Sequence, residues 1–531
     1  MLAGVIVLQA EAPSEGSSRR AVDRLLAQYG TTTGPGCAVG VLQDQRVVLQ
    51  TAAGTADGLR PLTADTPMYL ASVSKQFTAA AVYRLAAMGK VRLSEPIGSR
   101  LTELTSVTAE PTIQQLLNHT SGLRDYSALQ EVAGRLDESF ENTAILRLLT
   151  AQRALNFAPG TDYEYSNSDY VLLSLLIERV SGHPLSEFVR REFFEPLAMR
   201  QSWFGSSKSP NNGTARGYAL RDGILTLAAP PISSGDGGMY SSVSDLLRWM
   251  QELKKRGRAS SDPLRQIQIR ARLKSGEALP HASGLFWNRY RGRETLSHNG
   301  AVAGFQADVV HFPKEHLSVV CVCNRGDVDA ASISRQVAEA YWEPERQKAT
   351  ARPAQAGRAL ADLAGVWQSR QGFILTTRVE GGRVITSLGG QTHTMFRGPK
   401  RSMFSTDSGT VRLFLRRRSK DIVELGWEGD RPNSFRRLRS GGSKTTELAA
   451  YAGHYVNDEL DVAWDLLVAD RTLVVTTVAG WRIPLAQAAE DRFEVGPWLL
   501  EFDRDTSGVR AVRLHRERLW DLAFQRSAEP K

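Results

Sequence analysis

Tyr69-Leu70-Ala71-Ser72-Val73-Ser74-Lys75-Gln76-Phe77, running on into Thr78-Ala79-Ala80-Ala81-Val82, is the stretch that decides how this chain folds and what it does. The small apolar residues after Phe77 predict a buried helix. Residues three apart on a helix share a face, so Ser72 and Lys75 meet. A serine at a helix N-terminus lies in the positive end of the helix dipole, which favours a developing oxyanion. A hydroxyl is a poor nucleophile without a base. A lysine serves as that base only when neutral, and burial or nearby positive potential makes it so. Taken alone the S-x-x-K spacing is weak, because exposed serine–lysine pairs on helices are common.

Two further segments raise its weight. Tyr165-Ser166-Asn167 follows Phe157-Ala158-Pro159-Gly160 and precedes a helical run from Tyr170 to Val180. A phenol there can relay a proton between serine, lysine and leaving group, and Asn167 can both donate to and accept from an amide. The competing interpretation is a turn capped by Ser168 or Asp169. His298-Asn299-Gly300-Ala301 lies in strand-like sequence. Gly300 would let a substrate backbone approach a strand edge. The Ala301 N–H can pair with that of Ser72 as an oxyanion hole, and His298 offers a donor or a positive charge.

In this order, at intervals of about 90 and 130 residues, the three segments resemble the serine β-lactamase and penicillin-binding-protein superfamily, in its class C β-lactamase, D,D-peptidase and esterase branch. Asn118-His119-Thr120-Ser121-Gly122-Leu123 and Gly237-Gly238-Met239-Tyr240-Ser241-Ser242 are similar to that branch as well. The resemblance implies an α+β fold: an antiparallel sheet flanked by helices, an all-helical lobe, and the nucleophile helix beneath a sheet edge. It carries over Ser72 as nucleophile, Lys75 as its partner, Tyr165 and Asn167 as second motif, and His298 and Gly300 as third.

Within the superfamily the chain resembles the three-domain bacterial D-aminopeptidases. It shares the run Ser72 to Thr78, Ser121-Gly122-Leu123-Arg124-Asp125-Tyr126, Asp458-Glu459-Leu460-Asp461 and two added β barrels. Two features depart from the pattern. The long loop that shapes the aminopeptidase pocket has its counterpart in Phe493 to Leu500, which is short. Where β-lactamases usually carry lysine this chain has His298, which tilts the reading toward peptidases. The expected activity is an acyl-serine hydrolase acting on a peptide, amide or ester that can contain a D-amino acid. The alternatives are a β-lactamase and a non-catalytic penicillin-binding sensor module.

The rest of the chain bounds these expectations. At 531 residues it exceeds one core, since single cores stop growing at roughly 250–300 residues. Residues 20–345 mix strands and helices, with strands at both ends: Gly36 to Leu42 with Arg46 to Leu49, and Leu317 to Cys323 before a closing helix from Ala330 to Tyr341. Ser242-Val243-Ser244-Asp245 reads as a capping box opening Leu246 to Leu253. A polar linker, 346–358, leads into alternating runs typical of barrels. Leu360 to Trp367 matches Leu448 to Tyr455 at an offset of 88 residues, which gives two related barrels, 359–441 and 445–528, divided near Gly441-Gly442-Ser443.

Residues 1–19 read as a remnant signal or a disordered terminus. The location is periplasmic or secreted in the first case and otherwise cytoplasmic. Cys37, Cys321 and Cys323 read as buried free thiols, because Cys321 and Cys323 share one face of one strand. The net charge of +9 is concentrated between Arg397 and Arg439 without nucleic-acid motifs or interleaved aromatics, so a solvated barrel face is expected and no nucleic-acid partner. No apolar run reaches the roughly 18 residues of a membrane span. There is no G-x-S-x-G, H-E-x-x-H or paired C-x-x-C, so neither cofactor nor metal is expected. Arg124-Asp125 reads as structural. The expected partner is a small-molecule or short-peptide substrate, with a homodimer as the expected assembly.

Overall fold

The computed structural model describes residues 15–527 apart from 32, 136–139, 206–212, 256–258, 343–360, 370, 372, 389–390, 398–402, 406–412, 428–431 and 439–446. The expected linker, most of the expected signal remnant and the expected boundary near Gly441 therefore lie outside the described residues.

The chain divides into two compact units. The first comprises residues 1–91, 173–270 and 281–350; the second comprises 92–172, 271–280 and 351–531. Residues 92–172 thus group with the barrels.

The large sheet of the first unit includes the strands β1 (Cys37–Gln43), β2 (Arg46–Ala53), β3 (Leu285–Tyr290), β4 (Arg293–Val302), β5 (Phe305–Phe312) and β6 (Leu317–Cys323). They form an antiparallel sheet in the order β2-β1-β6-β5-β4-β3. The start and end of the unit thus meet inside the sheet, one strand in from its β2 edge, where β1 pairs with β6. One face is covered by α1 (Glu15–Leu26) and α4 (Ala330–Glu339), packed on Val39, Val41, Val310, Val319 and Cys321. On the other face α3 (Val243–Leu253) comes close to Gly40, whose missing Cβ leaves room for Val243 and Leu247. Ser242 caps α3, its side chain accepting from the Asp245 N–H.

Pairing of β1 with β6 corrects the cysteine expectation. Register sets Cys37 opposite Cys323, and the two are joined as a disulfide. Only Cys321 remains a thiol, its sulfur 3.8 Å from that of Cys323. Comparing the two cysteines of one strand missed the third, because its partner strand lies at the far end of the sequence.

The second unit holds the short helices Ile113–Leu117, Tyr126–Val132 and Asn142–Thr150 and two closed antiparallel barrels of eight strands each. The barrels repeat in detail. Trp367 and Tyr455 are fully buried at matching positions. Arg437 donates to the carbonyls of Asp362 and Ala364, and Arg526 to those of Ala450 and Ala452. The second barrel's core runs on into helix Tyr126–Val132, with Ala128, Leu129 and Val132 joining Trp464, Leu500 and Phe524. Among the described residues no helix is long and apolar enough to cross a membrane.

Candidate active site

Ser72 lies on a 3-10 turn, Ala71–Ser74, that leads directly into helix α2 (Lys75–Ala87). Ala71 holds φ at +48°, a left-handed conformation that costs a non-glycine residue of order 1–3 kcal/mol and occurs where the surrounding structure enforces it. The enforcement comes from residues 235–239. The Leu70 N–H donates to the Met239 carbonyl at 2.9 Å, and the Gly238 N–H donates to the Tyr69 hydroxyl at 2.9 Å. Thr78 Oγ1 donates to the Gly235 carbonyl at 2.8 Å. Burial of α2 follows from its composition, with Phe77 against Trp249 at 4.1 Å between ring centroids and Trp249 Nε1 donating to Gln76 Oε1 at 2.6 Å.

Lys75 is fully buried. Its Nζ donates to Ser72 Oγ at 3.1 Å and to the Asp236 carbonyl at 2.6 Å. Serine and lysine thus meet as their spacing predicts, and a main-chain carbonyl from the glycine-rich loop fixes the amine.

The third segment lies on β4. Pairing with β3 runs only as far as Ser297, opposite Phe286, whereas pairing with β5 continues to Val302. Residues 298–302 therefore have one edge beyond the reach of β3, and Gly300 lies against the turn carrying Ser72. His298 is buried, and its Nδ1 donates to the Asn299 carbonyl at 2.6 Å, which leaves Nε2 as the acceptor nitrogen. Burial first, and then the Lys75 charge, push His298 down to about 3, against a smaller opposing effect of the Asn299 carbonyl. The ring is neutral near pH 7, so of the two possibilities the sequence left open at His298, a donor or a positive charge, the charge is disfavoured there. Ala301 is exposed on the same strand.

Tyr165 and Asn167 belong to the second unit. The loop 119–126 is their platform. His119 Nδ1 lies 2.9 Å from Asp169 Oδ2, and Ser121 Oγ donates to Asp169 Oδ1 at 2.5 Å. The His119 ring lies 4.5 Å from that of Tyr165. Asp125 Oδ2 accepts the Asn167 N–H at 2.5 Å, and Ser168 Oγ donates to the Arg124 carbonyl at 2.8 Å. The helix starts at Asn167, so Ser168 and Asp169 are not caps; they tie the helix's first turn to this loop. Arg124 and Asp125 do not pair with each other: Arg124 bonds Glu459 at 2.8 Å, and Asp125 caps helix Tyr126–Val132.

Sequence reasoning missed three contributors. The Asp236 carbonyl left no trace beyond the glycines around it. His281 is fully buried and held well below its ordinary value by burial, then by His298 and Lys75; it sits in no motif. Arg518, at the tip of the last barrel's final hairpin, has its guanidinium carbon 4.8 Å from the centroid of the Tyr165 ring. The segment 493–500 instead forms a tight hairpin whose Trp498 Nε1 donates to Glu131 Oε1 at 3.2 Å.

The family profile described as Beta-lactamase matches residues 21–341. A D-aminopeptidase of Brucella anthropi is 28% identical over 513 residues, spanning 90% of this chain and 92% of that protein. A D-aminopeptidase of Gluconobacter oxydans is 26% identical over 540 residues, spanning 95% and 98%. Among solved structures, an octameric penicillin-binding protein homologue from Pyrococcus abyssi superposes with a TM-score of 0.55 at 21% identity, covering 79% of this chain and 99% of that one. A D-amino acid amidase from Ochrobactrum anthropi SV3 gives 0.51 at 22%, covering 61% and 98%. These structural likenesses concern the fold.

Proposed function

Because this chain belongs to the β-lactamase family and is a serine hydrolase, we propose that it cleaves D-aminoacyl amides or short peptides through an acyl-enzyme on Ser72. In its neutral form Lys75 takes the Ser72 proton at Nζ as Oγ bonds to the substrate carbonyl carbon. The N–H groups of Ser72 and Ala301 receive the oxyanion. The C–N bond then breaks, and Tyr165 passes the proton from Lys75 to the departing amine. Water attacks the ester by the same route in reverse, releasing the acid and restoring the Ser72 hydroxyl. Asn167 and the open edge of residues 298–302 hold the substrate amide, and neutral His298 shapes the wall beside Lys75.

The observation that carries this reading is the buried Lys75 amine 3.1 Å from Ser72 Oγ. A buried amine facing a serine hydroxyl has little purpose in a purely structural core. The D-amino-acid preference rests on the likeness to D-aminopeptidases over nearly the whole length. The test is turnover of matched D- and L-aminoacyl p-nitroanilides by the wild type and by Ser72→Ala. Wild-type turnover of the D series, lost by roughly 10⁶ in the variant, supports the proposal. Equal turnover by Ser72→Ala overturns it, and preference for the L series overturns the substrate assignment.

A further inference from the structure

A second concavity lies at the opposite end of the large sheet from residues 298–302. The β1–β2 turn, the β5–β6 turn, the C-terminal end of α3 and helix Pro263–Gln266 with the residues after it enclose about 1180 Å³. That is ample for a drug-sized molecule, since ligand pockets run from roughly 300 to 1,000 Å³. His311, which lines this cavity, follows Ala307, the partner of Gly300, by four residues along β5. About 13 Å of strand therefore separates it from the catalytic edge. The walls are tied to one another. The Asp44 N–H donates to the His316 carbonyl at 3.1 Å, Gln251 Nε2 to the Gln45 carbonyl at 3.0 Å, and Gln268 Nε2 to the Leu253 carbonyl at 3.0 Å. The concavity is thus part of the fold and needs no loop to close.

Its lining is basic. Lys254, Lys255 and Arg265 stand against a single lining carboxylate, Asp44. Lys255 is engaged by Glu252 at 2.5 Å. Lys254 is not held in this way. It is half-buried, its Nζ reaches the His316 carbonyl only at 3.5 Å, and among the described residues no carboxylate lies within ion-pair distance of it. Gln268 already serves the Leu253 carbonyl, so the end of α3 does not need the amine as a cap. Burial pushes Lys254 down to about 8, with Asp44 pulling the other way. A desolvated cation without a counter-ion is costly, and an anion in the cavity would offset that cost. Apolar surface lies beside the charge: Leu253, Pro313 and the half-exposed Ile269 share the same lining. Cations and apolar side chains together suit an organic anion better than a bare inorganic one.

We propose that this cavity is a binding site for a small organic anion, one carboxylate, sulfonate or phosphate group on an apolar body. Lys254 and Arg265 receive the charge, and Leu253, Ile269 and Pro313 receive the apolar part. The site does not rest on the hydrolase reading. Octanoate is the probe, titrated calorimetrically into the full chain, with octanamide as its neutral near-isostere and inorganic phosphate as the bare anion. The expected result is that octanoate binds at least about 10-fold more tightly than either control, and that Lys254→Met weakens it by about 10-fold or more. Asp44 sits at φ +45°, a conformation that asparagine tolerates, so Asp44→Asn removes the one lining acid without strain. That variant should tighten octanoate by about threefold, the scale of an exposed charge pair. No binding of octanoate by the wild type, or equal binding by wild type and a folded Lys254→Met, overturns the proposal. Octanamide or phosphate binding as tightly as octanoate overturns the assignment of an organic anion. Should Lys254→Met fail to fold, Asp44→Asn and Ile269→Asp carry the test: the first should tighten octanoate and the second weaken it about 10-fold, and no change in either overturns the site.

Discussion

Gly300 lies against Leu70 so closely that a Cβ at position 300 would stand 2.2 Å from the Leu70 carbonyl oxygen and 2.9 Å from the Ser72 nitrogen. Both neighbours are main chain and cannot rotate away. The third motif's glycine is therefore fixed by the approach of β4 to the nucleophile turn. Gly300→Ala should push the strand away from Ser72 and cut kcat/KM by about 10²-fold, the scale of a 1 Å misplacement. Steady-state kinetics with a D-aminoacyl anilide checks this, with circular dichroism to confirm folding.

Arg124 and Glu459 are 335 residues apart and bond at 2.8 Å, with Arg124 almost completely buried. Removing one partner leaves a buried charge. Glu459→Gln should destabilise the protein by about 3–5 kcal/mol in urea unfolding. The double variant Arg124→Met with Glu459→Gln should recover part of that loss, since the stranded charge is gone.

His298 should not act as a titrating charge near neutrality. In the unfolded chain it binds a proton below about 6.5, whereas in the fold it does so only near 3. Between these values the unfolded state binds more protons. Stability therefore rises with pH across the window and is lost as pH falls from 6.5 toward 3. His298→Asn should flatten this acid limb, as measured by melting temperature against pH, and the imidazole resonances of His298 should stay in their neutral form at pH 5.

The cysteines give a chemical count. Denatured without reductant, the chain should show one thiol to Ellman's reagent, and three after reduction. Cys37→Ser should cost about 2–4 kcal/mol, because the bond closes a loop of 286 residues.

Much of this architecture is legible in the sequence because it rests on short-range rules. Helical spacing brings Lys75 under Ser72, the capping serine at 242 opens α3, and the strand alternation with its internal repeat announces the barrels. What the sequence hides depends on distant pairing. The disulfide needs β1 to lie beside β6, the burial that neutralises His298 needs β4 to lie against the nucleophile turn, and Arg518 reaches Tyr165 only because the barrel hairpin docks on loop 119–126. No local pattern reports which acids and bases will end in the same low-dielectric surroundings.

The most direct test of the central claim is mass spectrometry of the protein after incubation with a fluorophosphonate or a slowly hydrolysed D-aminoacyl ester. The prediction is a single adduct per chain on the peptide containing Ser72, absent in Ser72→Ala and slowed by about 10³-fold or more in Lys75→Met. An adduct on another residue, or rapid turnover with Ser72 unmodified and replaceable, would contradict it.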